Sequence, residues 1–285
     1  MMKKIHCHSM ALIVSYRCTL KCKLCLVYAP YYKNPKDYPV DLLVESIDEC
    51  FRLVDSCDTF NVQGGEPLMY KDLPSIMDKL GEYKKQIGKL LLTTNGTLLP
   101  DTKLINSLIA LGDFVQVNIS NYGIEKSPKV SDLISILEKN SVAYRVINYD
   151  TGNIHYGGWI DFTDHTLKYS SEEELLGNAA ECGYRKGGNL AIVNGGMYIC
   201  CRVVRRIDLG IIEKNDESFI DLFDTRELGE RREIVRKILN AKYTPACKYC
   251  MGKRSDIPHY PPAEQLTKEE LENGIEKIPL INDER

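Results

Sequence analysis

No stretch of the 285 residues approaches the ~18 consecutive apolar residues that a helical membrane span needs. Uncharged runs such as Leu90–Pro100 are too short and too polar. The start, Met1 to His8, carries two lysines but no apolar h-region, so no secretory signal is expected and a cytoplasmic protein is. Positive charge is not in excess. Lys and Arg number 37 against 40 Asp and Glu, a net charge of −3, which excludes a general nucleic-acid-binding surface. The imbalance lies in the tail, where residues 256–285 hold eight acidic and three basic side chains. Tryptophan occurs once, at Trp159, and no internal repeat or low-complexity tract is present. With 44% hydrophobic and 27% charged residues, the chain is globular in composition and long enough for one large domain or two.

Cysteine, by contrast, is plentiful. Eleven cysteines cannot all pair, and where no secretory signal is expected the thiols stay reduced. Metal or redox chemistry is therefore expected before disulfides.

Between Ala11 and Asn148 short β-rich runs alternate with amphipathic ones. Strands are expected at Ala11–Tyr16, Asp58–Gln63, Lys89–Thr94, Phe114–Ser120 and Val142–Asn148. The spacing of Leu43, Ile47, Cys50, Phe51 and Val54 marks one face of a helix that Asp41 is placed to cap. Leu73, Ile76, Met77 and Leu80 repeat the pattern after Asp72. Leu104, Ile105, Leu108 and Leu111 do so after Asp101, and Leu133, Ile134 and Leu137 form a weaker case. Strand–helix alternation predicts an α/β fold with a parallel sheet, whose chemistry belongs at the carboxyl ends of the strands. A Gly-rich aromatic stretch, Thr151 to Gly158, breaks the pattern. Beyond it, strands are expected at Leu190–Val193 and Met197–Cys200, and a charged helix at Asp224–Leu239. A boundary near residue 170 leaves 171–255 as a small α+β unit and 256–285 as an acidic, Pro-containing surface strap.

Cys18-x3-Cys22-x2-Cys25 directly follows the first strand. Three soft thiolates in one loop suit iron–sulfur or zinc. Three ligands leave a fourth position free for chemistry, whereas a structural zinc site would borrow a fourth, such as Cys7 or His8. The second group is Cys182, Cys200 or Cys201, then Cys247-x2-Cys250, a complete set of four. Cys50, on the apolar helix face, reads as a small buried hydrophobe.

The first triplet resembles the signature of radical S-adenosylmethionine (SAM) enzymes. Gly64-Gly65-Glu66-Pro67 after the second strand resembles that family's motif at the SAM amino group, and Thr94-Asn95-Gly96-Thr97 after the third its Thr-Asn-Gly turn. Asn118 and Ser120 end the fourth strand, where the family places polar groups on the ribose. Leu24 stands where relatives carry an aromatic that meets the adenine. Cys182, Gly195-x4-Cys200 and Cys247-x2-Cys250 are similar to the Twitch form of the SPASM domain. Small two-cluster members, such as 2-deoxy-scyllo-inosamine dehydrogenase, are similar in size and cysteine layout.

The resemblance implies a partial (β/α) barrel over 1–170 and a Twitch-type auxiliary domain over 171–255. It further implies SAM, two 4Fe–4S clusters, and a flavodoxin- or ferredoxin-type electron donor. The barrel of that family has six strands; either Trp159–Thr163 is the sixth or the barrel is truncated. Reductive cleavage of SAM would yield a 5′-deoxyadenosyl radical that takes hydrogen from a small-molecule substrate, with no role for nucleic acid or membrane. Oxidation of a sugar or cyclitol carbinol to a ketone through the auxiliary cluster is the first reading. The alternatives are epimerisation, with the Cys201 thiol as hydrogen donor, and peptide modification. The peptide reading is weakened by the roughly ten residues before the first expected strand, where peptide-modifying relatives carry a leader-binding domain.

Adjacent strand residues point oppositely, so Cys200 and Cys201 are not expected to share one cluster. Arg202, Arg205 and Arg206 either neutralise a four-thiolate cluster or hold an anionic substrate, phosphorylated or nucleotide-linked. Tyr156 and Trp159 are candidates for stacking on a sugar, and His165 for the general base. Arg231, Arg232, Arg236 and Lys237 read as a charged surface face.

Overall fold

The computed structural model describes residues 3–149, 159–161, 164–273 and 281–282. The first half alternates as expected: β1 (His6–Ile13), a short β2 (Tyr32–Lys33), α1 (Val40–Leu53), β3 (Ser56–Gln63), α2 (Leu73–Gly81), β4 (Ile87–Thr94), α3 (Thr102–Leu111), β5 (Val115–Asn121), α4 (Val130–Lys139) and β6 (Tyr144–Asn148). After β7 (Trp159–Ile160) come α5 (Glu172–Glu181), α6 (Gly183–Lys186), β8 (Asn189–Val193), β9 (Gly196–Tyr198), α7 (Cys201–Asp208), β10 (Phe219–Asp221) and α8 (Leu228–Asn240). The chain closes with β11 (His259–Tyr260), α9 (Lys268–Asn273) and β12 (Ile281–Asn282).

One eight-stranded sheet runs β10-β9-β8-β1-β3-β4-β5-β6. The six strands from β8 to β6 are parallel, while β9 pairs antiparallel with both β8 and β10. This is the α/β partial barrel expected from the alternation. The sixth parallel strand, however, is not Trp159–Thr163. That segment contributes only β7, which pairs with β11 outside the main sheet, and Phe162 and Thr163 lie outside the described residues. The sixth place is taken by β8, docked on the opposite edge against β1. Its Leu190, Ala191, Ile192 and Val193 are all buried, an apolar run that suits a strand covered on both faces. Residues 171–255 thus extend the same sheet as residues 6–148.

Helices α1 to α3 present the apolar faces read from their spacing. Leu43, Ile47, Cys50, Ile76, Met77 and Leu80 are fully enclosed against the sheet, each large side chain contributing about 1.5–3 kcal/mol. Asp101 caps α3 by accepting from Leu104 N at 2.8 Å. Asp41 does not cap α1. The helix starts at Val40 after Pro39, so Asp41 lies in the first turn, where it favours the helix dipole without a capping bond. Cys201 also departs from expectation. It opens α7 rather than continuing a strand, and Cys200 is the residue just before the helix.

Arg231 and Arg232 are buried, not part of a solvated face. Arg231 donates to Glu49 (3.0 Å) and to the Leu222 carbonyl (2.5 Å). Arg232 donates to Asp55 (2.6 Å) and the Arg52 carbonyl (3.1 Å). These bonds fasten α8 to the end of α1, with Asp55 also receiving Ile5 N at 2.7 Å. Burial raises the Asp55 carboxyl, but the Arg232 and Ile5 donors outweigh it and hold the group below its ordinary range. Since the folded form has the lower pKa, this stabilisation is present above ~4 and fades as pH falls through the folded value. Arg232→Met is expected to cost about 2 kcal/mol at neutral pH. Urea unfolding of both proteins checks this, and the difference between them should narrow below pH ~4.

Candidate active site

The loops after β1, β3 and β4 meet at the carboxyl end of the sheet. The sharpest constraint there is a pair of glycines. A Cβ on Gly64 would sit 2.5 Å from the Ser15 carbonyl oxygen, and one on Gly65 would sit 2.2 Å from that of Arg17 and 2.8 Å from Cys18 Cβ. Only glycine lets the β3 loop lie against the cysteine loop, and there Gly65 N and Glu66 N donate to Ser15 and Arg17 at 2.8 Å each.

Glu66 then turns inward. Its buried carboxylate accepts from Leu68 N (3.0 Å), Thr94 Oγ1 (2.8 Å) and Asn95 N (2.7 Å). Burial pushes the carboxyl up, to about 7, against the pull of these three donors. Asn95 reaches back from the β4 loop. Its Nδ2 donates to Thr19 Oγ1 at 3.1 Å and lies 3.6 Å from Cys18 Sγ. The Cys18 sulfur also receives Leu20 N at 3.4 Å, and the Cys22 sulfur receives Gln265 Nε2 at 3.4 Å.

Cys18, Cys22 and Cys25 border a cavity of ≈ 280 Å³ together with Leu24, Gly64, Gly65 and Asn95. Its far wall is aromatic. Tyr122 stacks on Tyr149 with centroids 5.0 Å apart and meets Trp159 edge-on at 5.8 Å. Glu66 and Thr94 lie behind this lining, and Pro67 starts a short 3₁₀ turn. Asn118 and Ser120 alternate with Val117 and Ile119, and the register places them on the same sheet face as Gln63, which does border the cavity. Neither borders the cavity. Tyr156 lies outside the described residues.

Cys182, Cys200, Cys247 and Cys250 line a second cavity with Arg202 and Arg206. Lys253 N donates to Cys182 Sγ (3.4 Å), Gly252 N to Cys250 Sγ (3.3 Å) and Thr244 N to Cys247 Sγ (3.5 Å). Burial raises the Cys250 thiol, yet Arg202 and Arg206 bring it below its ordinary value. Four sulfurs, three backbone donors and two guanidinium groups form a donor set suited to an anionic thiolate cluster. Arg206 also fixes the Cys247–Cys250 turn through the carbonyls of Ala246 (3.2 Å) and Tyr249 (2.6 Å). Arg205 lies elsewhere, its guanidinium 4.8 Å from the Tyr32 ring and 5.8 Å from that of Tyr28. It borders neither cavity.

Cys201 does not border the four-cysteine cavity. It lines, with Cys200, a recess that also includes Ser9, Ala11, Asn61 and Gln63, and its Sγ lies 3.4 Å from the Leu26 carbonyl. Burial pushes its thiol up to about 12. His165 packs on the Tyr28 ring at 5.7 Å, outside the residues that line the cavity. Burial, with Arg206 and Arg205 nearby, pushes its pKa down to about 4, which makes it a weak base at neutral pH.

Sequence reasoning missed Tyr184, Lys253, Tyr122, Tyr149, Gln63 and His259, all of which border the main cavity. Tyr184 borders the cysteine cavity and the recess as well. Arg202 and Lys253 lie over its ring at 4.8 and 5.0 Å. Nothing in the spacing of these residues signals a shared site.

Residues 12–134 match the model of the radical SAM superfamily. A radical SAM domain therefore forms this part of the chain. The chain is similar to GTP 3′,8-cyclase of Campylobacter lari, with 27% identity over 168 residues, 57% of this chain and 48% of that protein. It is also similar to the enzyme of the same name from Campylobacter jejuni subsp. doylei, with 36% identity over 93 residues, 31% of this chain and 27% of that one. The matches thus span less than half of the length of these relatives. In fold, it is similar to native anSMEcpe with bound AdoMet and Kp18Cys peptide, at TM-score 0.51 and 17% identity over 91% of this chain and 92% of that one. A radical SAM domain implies SAM and a 4Fe–4S cluster. The open trio of thiolates and the glycine-lined cavity beside it fit both.

Glu66→Ala would strand three buried donors at about 1–3 kcal/mol each. The apoprotein should lose at least about 3 kcal/mol in urea unfolding, whereas Glu66→Gln, which keeps one acceptor, should lose less.

Proposed function

We propose that the protein is a radical SAM oxidoreductase. It removes a hydrogen atom from a hydroxylated small molecule, a sugar or cyclitol, and oxidises the carbinol to a ketone. The observation that carries this reading is the shared wall: four cysteines line one cavity, and Tyr184 borders both it and the cavity beside Cys18, Cys22 and Cys25. An acceptor there lies one aromatic ring from the substrate space. In this reading residues 171–255 act as a Twitch-type auxiliary unit, and the protein works in the cytoplasm with a flavodoxin- or ferredoxin-type donor.

With its cofactors bound, the first site would supply a 5′-deoxyadenosyl radical that takes the carbinol hydrogen atom, and the second would accept the remaining electron as the hydroxyl gives up its proton. The chain's own residues do the rest. Cys18, Cys22 and Cys25 would hold the first cluster with three thiolates, one fewer than a closed site, which leaves room for SAM. Gly64 and Gly65 let the β3 loop lie against the cysteine loop, which places their backbone on the wall of the cavity where SAM would bind, and Asn95 fixes the neighbouring turn. Leu24, Tyr122, Tyr149 and Trp159 exclude water, and the three aromatic rings offer flat faces for a sugar or an adenine. Lys253 supplies a cation to the same cavity, which suits a phosphorylated or nucleotide-linked substrate. Arg202 and Arg206 offset the charge of the second cluster, held by Cys182, Cys200, Cys247 and Cys250.

One observation favours epimerisation as a second reading. Cys201 is a buried thiol in a recess that shares Leu26, Gln63 and Tyr184 with the main cavity. From there it could return a hydrogen atom to a substrate radical.

Anaerobically reconstituted protein is expected to hold about eight irons, two four-iron centres each on Cys ligands. The double variant Cys247→Ala, Cys250→Ala should hold about four. It should still form 5′-deoxyadenosine with SAM and dithionite, but no ketone. A wild-type content of four irons would sink the oxidoreductase reading. Sugars and cyclitols turned over in deuterium oxide then separate the two reactions. A product two mass units lighter supports oxidation. Deuterium gained at carbon, and lost in Cys201→Ala, supports epimerisation.

A further inference from the structure

The acidic C-terminal segment is built into the first cysteine loop. Gln265 pairs with Cys22 in an antiparallel bridge. Lys23 N donates to the Glu264 carbonyl at 2.7 Å and Leu266 N to that of Lys21 at 2.8 Å. The Gln265 side chain grips the same loop at both ends. Its Oε1 accepts from Lys21 N at 2.7 Å, and its Nε2 donates to Cys22 Sγ at 3.4 Å and to the Ala263 carbonyl at 2.8 Å.

The strap is anchored on either side. Ala263 and Leu266 are buried. Thr267 and Glu270 cap α9 reciprocally, at 2.8 and 3.2 Å. Glu270 also pairs with Lys23 at 2.7 Å. A segment more than 240 residues away in sequence thus supplies two backbone pairings and an amide donor to the loop that carries three thiolates.

We propose that Gln265 is a positioning residue for the first cluster, fixing the Cys22 loop and tuning the cluster's reduction potential through its N–H···S bond. This deepens the reading of Cys18, Cys22 and Cys25 as cluster ligands and rests on it. The electrostatics are direct. A donor aimed at a ligating thiolate withdraws negative charge from sulfur and stabilises the reduced, more negative cluster, so its presence raises the potential. The Oε1 bond to Lys21 N holds the loop in the shape that aims Cys22. Gln265 needs an amide for this, because one end accepts while the other donates. A glutamate offers no donor and adds a negative charge beside the sulfur.

The test uses the reconstituted full chain as wild type, Gln265→Leu, Gln265→Glu and Glu264→Gln. The last variant keeps the Glu264 carbonyl that receives Lys23 N and alters only the carboxylate, whose contact with the loop is a long, half-exposed pair with Lys23 Nζ at 3.5 Å beside the shorter Glu270–Lys23 pair. EPR-monitored redox titration reads the cluster whose signal changes on addition of SAM, and a chelator reads its iron release. The Gln265 variants should have a more negative potential, with Gln265→Glu the lower of the two. They should release iron about tenfold faster, as loss of one hydrogen bond to a charged acceptor implies. Glu264→Gln should match wild type in both. Wild-type potentials in both Gln265 variants would overturn the assignment. So would a Glu264→Gln variant shifted as far as Gln265→Leu, because strap loosening alone would then explain the change. Wild-type protein that binds no iron would overturn the ligand reading itself. Iron bound normally with unaltered Gln265 variants would overturn only the role of Gln265.

Discussion

A single buried carboxylate holds the site together. Glu66 sits where the β3 loop passes under the β4 loop, and its two oxygens collect donors from Leu68, Thr94 and Asn95. Burying it raises its pKa to about 7, so its enclosure is costly and has to be offset by those donors. The consequence of this arrangement is positional. With Asn95 N held, its side chain is free to reach Thr19 and the Cys18 sulfur. With the Glu66 backbone held, the glycine pair lies flat against the chain that leads into the cysteine loop. The motif residues are therefore not independent contacts around a ligand but one hydrogen-bonded unit.

The second half of the chain faces a different problem, that of enclosing three arginines on one short helix. Arg202, Arg205 and Arg206 are among the largest fully buried side chains. Guanidinium groups tolerate burial when aromatic faces and carbonyls replace water, and α7 provides this through Tyr184, Tyr28, Tyr32 and the Ala246 and Tyr249 carbonyls. The same helix begins at Cys201 and is preceded by Cys200. Its geometry thus gives the two residues different surroundings: Cys200 borders both the four-cysteine cavity and the recess inside the sheet, whereas Cys201 borders the recess and not the four-cysteine cavity. A strand would also have separated them, but by alternation across a sheet. The helix does so by ending the extended backbone at Cys200 and starting at Cys201.

Much of this was legible beforehand. Strand-loop-helix alternation located β1, β3, β4, β5 and β6 to within a few residues, except that β1 begins at His6 rather than Ala11, because Cys7 and Met10 are drawn into the core beside Cys57 and Phe60. The three motifs lie at adjacent strand ends, as a parallel sheet requires. The errors share a cause. Arg231 and Arg232 look solvated by composition, yet Glu49 and Asp55 on another element pair with them. His165 looks like a base by residue type, yet its ring packs on Tyr28. In each case the partner is distant in sequence, so no local pattern carries the information.

The amino-acid sequence by itself determined the parallel α/β order, the two cysteine groups and the glycine positions, because these rest on short-range periodicity and on residue types that few substitutes can replace. Tertiary structure alone decided which strand completes the sheet, which aromatic rings wall the cavity, and that Tyr184 stands between the two cysteine sites. It also decided that Gln265 reaches Cys22. Such contacts arise only when the packed sheet brings remote segments within hydrogen-bond distance, and side-chain chemistry does not encode that proximity one residue at a time.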